Sequence, residues 1–433
     1  MKKVFIFITA LTLALLLIAQ IDDKQTAEVK TLLDRIEPTD SSPSYIYLLG
    51  LSANENDNPE KVGSALLEEY RKEEVDESYI VKDYRLKRKI SLPEGDLFCT
   101  WWAKGCLDKL FNTEIGSFNQ EHAVLLSRLD EFYTFKEYKT LTIPIITERF
   151  PPFQYISKAV RVKVLHAIKT YKAGFSKEAI LDLEHQLLQL RHALALQDTL
   201  VGKMVFLSKL SEVVDVLGII AYESKIALKK TEPLSIKEKS LEVAFAREFA
   251  LSYHSFKNLR DLSSFTTVVN HIPAWLSRIL YKPNMSINAM EPFHTRWGRL
   301  SLLSPTDFAK EIELEPTLEL STSSIRNYVG NILNSIALPN YDLYVSRFMD
   351  FDAKLALLNT LSEGVDSALN PYYTNEGPEI SINKVCFRGP LEDVKFQRCL
   401  RLKKIKPTFT PTASPFKLIN GQTLNTNHSL VTS

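Results

Sequence analysis

Glycine is scarce. It supplies 14 of 433 residues, less than half of the ~7% usual in globular proteins. That shortage argues against glycine-rich phosphate loops and against all-β folds dense in tight turns. Excess charge of one sign is also missing. Lys+Arg 53 stand against Asp+Glu 52, a net charge of +1, whereas a nucleic-acid partner calls for a clustered basic excess. Catalytic strings are absent as well: there is no H-E-x-x-H, no G-x-S-x-G, no P-loop and no G-x-G-x-x-G. Zincin, hydrolase-elbow and nucleotide-loop readings therefore have no support, and neither a cofactor nor a metal is expected. No internal repeat of fixed period occurs, so a solenoid is not indicated. What remains is 45% hydrophobic and 24% charged, an ordinary globular mixture, in a length that allows two or three domains.

Only one uncharged run is both long and apolar. After Met1-Lys2-Lys3 come eighteen residues, Val4 to Ile21, without a charge, and then Asp22-Asp23. That length falls in the ~17–25 residues a helix needs to cross a bilayer. The lysines set the orientation, N-terminus inside and the rest exported. The run exceeds a usual signal h-region, and no small-x-small site follows it, so the expectation is a retained inner-membrane anchor with the bulk in the periplasm. The alternative is a soluble periplasmic chain after signal cleavage. The next most apolar segment, Leu200 to Tyr222, contains Lys203, Lys209, Glu212 and Asp215 and reads as a central soluble helix.

Four cysteines form two local pairs, Cys99 with Cys106 and Cys386 with Cys399. Neither spacing is that of a redox C-x-x-C or a zinc knuckle. In an exported chain both pairs are expected to be disulfides. The first encloses Trp101 and Trp102, which suits a protein or membrane-interface contact; the bland reading buries one of them. The basic runs Arg85–Lys89 and Arg401–Lys406 read as solvated, with anionic headgroups as the alternative partner.

The pattern predicts a mainly α protein, a multi-helix bundle or array with a small C-terminal β-hairpin. Helices are expected near 117–137, 153–173, 176–197, 200–229, 235–259, 264–281, 286–299, 305–313, 322–337 and 340–363. The 176–197 helix carries one seam, Ile180, Leu183, Leu187, Leu190 and Leu194, at alternating three- and four-residue steps. Residues 79–92 are ambiguous between a strand and a basic linker. Asn58-Pro59 and Ser304-Pro305 are helix starts. Two strands are expected at 384–388 and 396–402. The resulting division is an anchor or signal at 1–21, a juxtamembrane region at 22–115, an all-α core at 116–365, a β element at 366–406 and an extended tail at 407–433.

His185 and His192 share a helix face, but seven residues place them ~10.5 Å apart, a solvated face rather than a metal site. Glu291 and His294, three apart on a helix, could share a side as an acid–base pair; the bland reading is an amphipathic helix start with Trp297 packed inward. No motif supplies a nucleophile beside the pair.

The strings Tyr45-Ile46-Tyr47-Leu48-Leu49-Gly50-Leu51, Asn58-Pro59-Glu60-Lys61-Val62-Gly63 and Leu200-Val201-Gly202-Lys203-Met204-Val205, following an anchor, resemble membrane-anchored envelope proteins of Gram-negative bacteria. The resemblance covers short strings of the first half and implies no activity and no functional residue. The functional expectation is a non-enzymatic interaction or assembly module of the bacterial cell envelope, with an envelope protein as partner and no nucleic acid. The alternative is an envelope hydrolase whose site assembles around Glu291 and His294.

Overall fold

The computed structural model describes residues 2–36, 39–75, 89–259, 278–314 and 325–403. It is mainly helical, with one small antiparallel sheet near the end of the chain. The first helices are α1 (Lys2–Ala19), α2 (Ala27–Asp34), α3 (Pro43–Leu49) and α4 (Pro59–Val75). Then follow α5 (Cys106–Asn112), α6 (Phe118–Glu121), α7 (Ala123–Phe132), α8 (Phe153–Lys172), α9 (Ser176–Leu196) and α10 (Leu200–Ser224). The second half holds α11 (Ile236–Lys239), α12 (Glu242–Asn258), α13 (Pro283–Leu300), α14 (Pro305–Leu314), α15 (Tyr328–Ala337) and α16 (Asp342–Asn359). Strands β1 (Glu379–Ser381), β2 (Lys384–Cys386) and β3 (Cys399–Arg401) close the described chain. The 79–92 stretch up to residue 88, most of the 264–281 helix, the start of the 322–337 helix and the 407–433 tail lie outside the described residues.

The expected caps are made. Lys61 N donates to Asn58 Oδ1 (2.9 Å) ahead of Pro59, and Asp307 N donates to Ser304 Oγ (3.1 Å) ahead of Pro305. Each satisfies one of the orphan donors of a helix start. Two glycines let α3 and α4 cross backbone to backbone. A Cβ on Gly50 would sit 1.9 Å from Pro59 O, and one on Gly63 would sit 1.8 Å from Ile46 O. Both belong to the strings that carry the resemblance.

The five seam residues of α9 are all buried, and α10 beside it is buried around most of its circumference. An all-round apolar helix belongs in the middle, and α8, α9, α12, α16 and β3 surround it. Each fully buried Val, Leu or Ile there contributes roughly 1.5–3 kcal/mol. One continuous apolar cluster runs from Tyr45 to Leu402, across residues 115–116 and 365–366 where the sequence suggests boundaries. A second, smaller cluster joins α2, α12 and α13 through Val29, Leu32, Phe249, Phe256, Ile287 and Met290.

Several elements differ from expectation. The 117–137 helix breaks at His122 into α6 and α7. Helix α10 stops at Ser224, where Lys225 caps it with φ 56°. The sheet has a third strand, β1, whose three residues are all exposed. Cys386 and Cys399 face each other across β2 and β3, and their disulfide ties the expected hairpin.

Helix α1 corrects the expected span. Its first turn contains Lys2 and Lys3 and it ends at Ala19, so Val4–Ala19 is the apolar part, about 24 Å at 1.5 Å per residue. The hydrocarbon core is ~30 Å thick. Gln20 and Ile21 form a turn instead of a further helical turn, with Gln20 N donating to Leu17 O and Ile21 N to Ile18 O. Among the described residues, no helix is long and apolar enough to cross a membrane.

Candidate functional site

The root of α1 is built as a lock. Pro283 opens α13, and the free N–H groups of that first turn point at Asp22. Asn284 N donates to Asp22 Oδ2 (2.9 Å) and Met285 N to Asp22 Oδ1 (3.3 Å). A carboxylate there also meets the positive end of the helix dipole. Asn284 Nδ2 donates to Asp23 O and Asn288 Nδ2 to Lys24 O. Lys282 is buried, and its ammonium donates to Ala19 O (2.7 Å) and Arg278 O (2.6 Å). Burial, with Arg326 nearby, lowers its pKa. Arg326 Nη2 donates to Ile21 O (3.0 Å) and pairs with Asp23. Residues 19–24 are thereby tied to α13 and to the approach to α15. Above the root α1 is bare: its described large apolar side chains are between 41% and 72% exposed.

A second constellation lies in the core. Glu212 and Asp215 of α10 are fully buried. Glu212 accepts from Arg161 of α8 and from Lys209 Nζ (2.8 Å), and Arg161 also donates to Leu97 O (2.6 Å). Burial alone would raise the Glu212 pKa; the two cations override it and hold it down at about 2. Asp215 accepts from Lys354 Nζ (3.0 Å), Arg401 Nε (2.9 Å) and Arg401 N (3.0 Å). Lys354 donates in addition to Ser211 Oγ (2.6 Å). Every carboxylate is paired with a cation, so the arrangement clamps elements together and offers no free base.

Arg401 of β3 joins this network to the first disulfide loop. Both expected pairs, Cys99–Cys106 and Cys386–Cys399, are bonded. Such bonds persist in oxidising compartments. Trp101, inside the first loop, is 4% exposed. Its ring lies against the Arg401 guanidinium (4.0 Å) and within 5.9 Å of Arg161, and its carbonyl accepts from Arg401 Nη1. Trp101 is therefore a core residue, which corrects its reading as a contact. Arg401 likewise leaves the solvated basic run, since Asp215 and Trp101 hold it; Lys404–Lys406 and Arg85–Arg88 lie outside the described residues. Trp102 keeps partial exposure, with Lys395 Nζ 4.5 Å from its ring. Trp101→Ala should cost about 3–5 kcal/mol, and Trp102→Ala less than about 1.5 kcal/mol. Urea midpoints of the two variants check the contrast; equal losses would contradict the burial difference.

The structure turns Glu291 and His294 to different partners. Glu291 accepts from Thr295 Oγ1 (2.5 Å), one turn on. His294 is buried against Phe249 and Trp297, with Nδ1 donating to Met290 O (3.0 Å). Burial lowers its pKa to about 4, so it is neutral at pH 7. Arg296 and Trp297 Nε1 both turn to Asp342 (2.8 and 3.0 Å). Among the described residues no hydrogen bond joins Glu291 to His294. The groove of about 1310 Å³ beside α5 and the end of α10 is lined by Asp108, Tyr222, Glu223, Lys225 and Lys403, with neither Glu291 nor His294 in it. Among the described residues no group of three or more His, Cys, Asp or Glu is placed to hold a metal ion. His185 and His192 are exposed, on the side of α9 away from its seam.

Among the described residues two buried carboxylates of α16 have pKa values raised towards neutrality, Asp352 to about 6 and Asp350 to about 7, both by burial first. Arg398 Nη1 (3.0 Å) and Tyr372 Oη (2.8 Å) donate to Asp350. Burial, with Asp393 nearby, pushes it up to about 7 although Arg398 opposes. The folded form thus holds a proton that the unfolded chain releases above ~4. Stability from this group is greatest below pH ~4 and declines as pH rises towards 7. Asp350→Asn should flatten that decline, as measured by thermal midpoints at pH 5 and pH 7.5. An unchanged slope would contradict the assignment.

No protein-family model matches the chain, and no curated protein or solved structure matches it.

Proposed function

We propose that this protein is a membrane-tethered, non-enzymatic interaction or assembly module of the bacterial cell envelope, its body in the periplasm. The observation that carries the reading is the contrast at α1. The described large apolar side chains from Val4 to Ile18 are 41–72% exposed, while the residues that follow are locked to α13 by side-chain and backbone hydrogen bonds. A helix apolar all round demands a nonaqueous cover. Lipid supplies it, with the bilayer thinning over the ~6 Å shortfall. The lock removes the flexible linker a simple tether would have. The body is then held in one orientation on the membrane, which suits a component that presents a fixed face to an envelope partner. The disulfides support an oxidising compartment, and the lysines at the start of α1 support export of the body.

Crosslinking in intact cells, followed by capture of the full chain and mass spectrometry, tests the interaction reading. A stoichiometric envelope protein is the expected product. Recovery of the chain alone, with the membrane fraction well sampled, would contradict it.

A further inference from the structure

Helix α15 is apolar on two opposite sides. Val329 and Leu333 pack against the second core cluster, and Gly330 and Asn334 are buried between them. On the outer side Tyr328, Ile332 and Ile336 are 60%, 43% and 76% exposed. They recur every fourth residue and form one stripe, where a helix facing water would carry polar side chains.

The position of that stripe is fixed by contacts. Asn327 Nδ2 donates to Ser286 Oγ (2.9 Å) and Asn334 Nδ2 to Ser286 O (3.1 Å). A Cβ on Gly330 would lie 2.1 Å from Ser286 Oγ. Helix α15 therefore crosses the first turn of α13 at Gly330. That turn is the one Asp22 caps through Asn284 and Met285. Arg326, just ahead of α15, donates to Ile21 O. Ile21 is itself 60% exposed, so the hydrogen bond from Arg326 ties an exposed apolar residue at the root of α1 to the approach to α15.

We propose that the stripe Tyr328–Ile332–Ile336 is a second membrane contact, lying on the bilayer surface beside the root of α1. The inference rests on the reading of α1 as membrane-inserted. Once α1 is inserted, its root sits at headgroup depth, and an apolar stripe joined rigidly to that root sits there too. A protein occupant would have to displace lipid from it. The residues suit this level: Tyr is favoured at the interface, Ile332 and Ile336 supply the apolar face, and Arg326 can reach lipid phosphates. Two contact points also set the tilt of the body, which a single helix leaves open.

The test uses the full-length chain in vesicles of phosphatidylethanolamine and phosphatidylglycerol. An environment-sensitive fluorophore is attached to Leu11→Cys, Ile336→Cys or Leu188→Cys, the last a 67% exposed apolar position on α9. Nitroxide lipids then report depth. The Leu11 label should be quenched by chain-terminal nitroxides. The Ile336 label should be quenched by headgroup-proximal ones, about two-fold or more above Leu188. Quenching at Leu11 with Ile336 no stronger than Leu188 overturns the second contact and leaves the α1 reading standing. An unquenched Leu11 overturns both. A companion chain carries Ile332→Asp and Ile336→Asp at exposed positions, with the label on Tyr328→Cys. It should lose about half or more of the Tyr328 quenching found without the two Asp substitutions; an unchanged signal also overturns the proposal.

Discussion

Asp215→Ala is expected to destabilise the body by about 3–5 kcal/mol, the usual cost of breaking a buried ion pair from one side. Lys354 is fully buried and would keep only Ser211 Oγ as a partner. Arg401 would lose two of its contacts, and with it β3 would loosen from α10. The loss should reach the Cys99–Cys106 loop as well, because Arg401 also holds the Trp101 carbonyl and ring. Exchanging both charges, Asp215→Leu with Lys354→Met, should recover only the part of the loss that comes from the unpaired Lys354, because Arg401 lacks Asp215 in both variants. Urea unfolding of the three chains measures this. A single variant within about 0.5 kcal/mol of wild type would contradict the clamp, because that is the range of an ordinary surface change.

Putting arginines into α1 should have the other large effect. Ile8 and Leu11 are exposed in the middle of the apolar run. An arginine near the centre of an inserted helix costs about 2.5–3.5 kcal/mol. Ile8→Arg together with Leu11→Arg should therefore weaken insertion by about 5–7 kcal/mol, roughly four to five orders of magnitude in partition. The body makes no described use of these side chains, so its thermal midpoint should stay unchanged. Fractionation of cells expressing the double variant checks the first expectation and calorimetry the second. Retention in the membrane fraction at wild-type level would mean that α1 is not what holds the protein there.

The helical architecture was legible because its cause is local. The α9 seam repeats at helical spacing, α10 is apolar all round, and Asn58 and Ser304 stand ahead of prolines at helix starts. Both disulfides follow from cysteines that are close in sequence and from a compartment argument made independently at the amino terminus. What escaped notice depends on long-range pairing. Asp215 and Lys354 are 139 residues apart, and only their position on otherwise buried helices hints that they need each other. Asp22 and Asn284 are 262 apart, so the lock below α1 could not be read from a run that seemed to end at Ile21. The break at His122 carries no glycine or proline signal. Strand β1 is three residues long and exposed throughout, too short for the polar–apolar alternation of Glu379-Ile380-Ser381 to mark a strand. Which of Trp101 and Trp102 packs inward was not legible, because the two arginines that cover Trp101, Arg161 and Arg401, come from distant elements. Glu291 and His294 had suitable spacing, but spacing fixes only the helix face. Packing against Phe249 and the side chain of Thr295 decided what each one does.

The central claim is that α1 holds this body on a lipid surface, and flotation of the purified full-length chain with vesicles tests it most directly. With phosphatidylethanolamine–phosphatidylglycerol vesicles in a density gradient, the protein should rise with the lipid and remain there in high salt, because apolar burial is not screened as surface charge is. Protein left at the bottom of the gradient, folded and with both disulfides intact, would contradict the account.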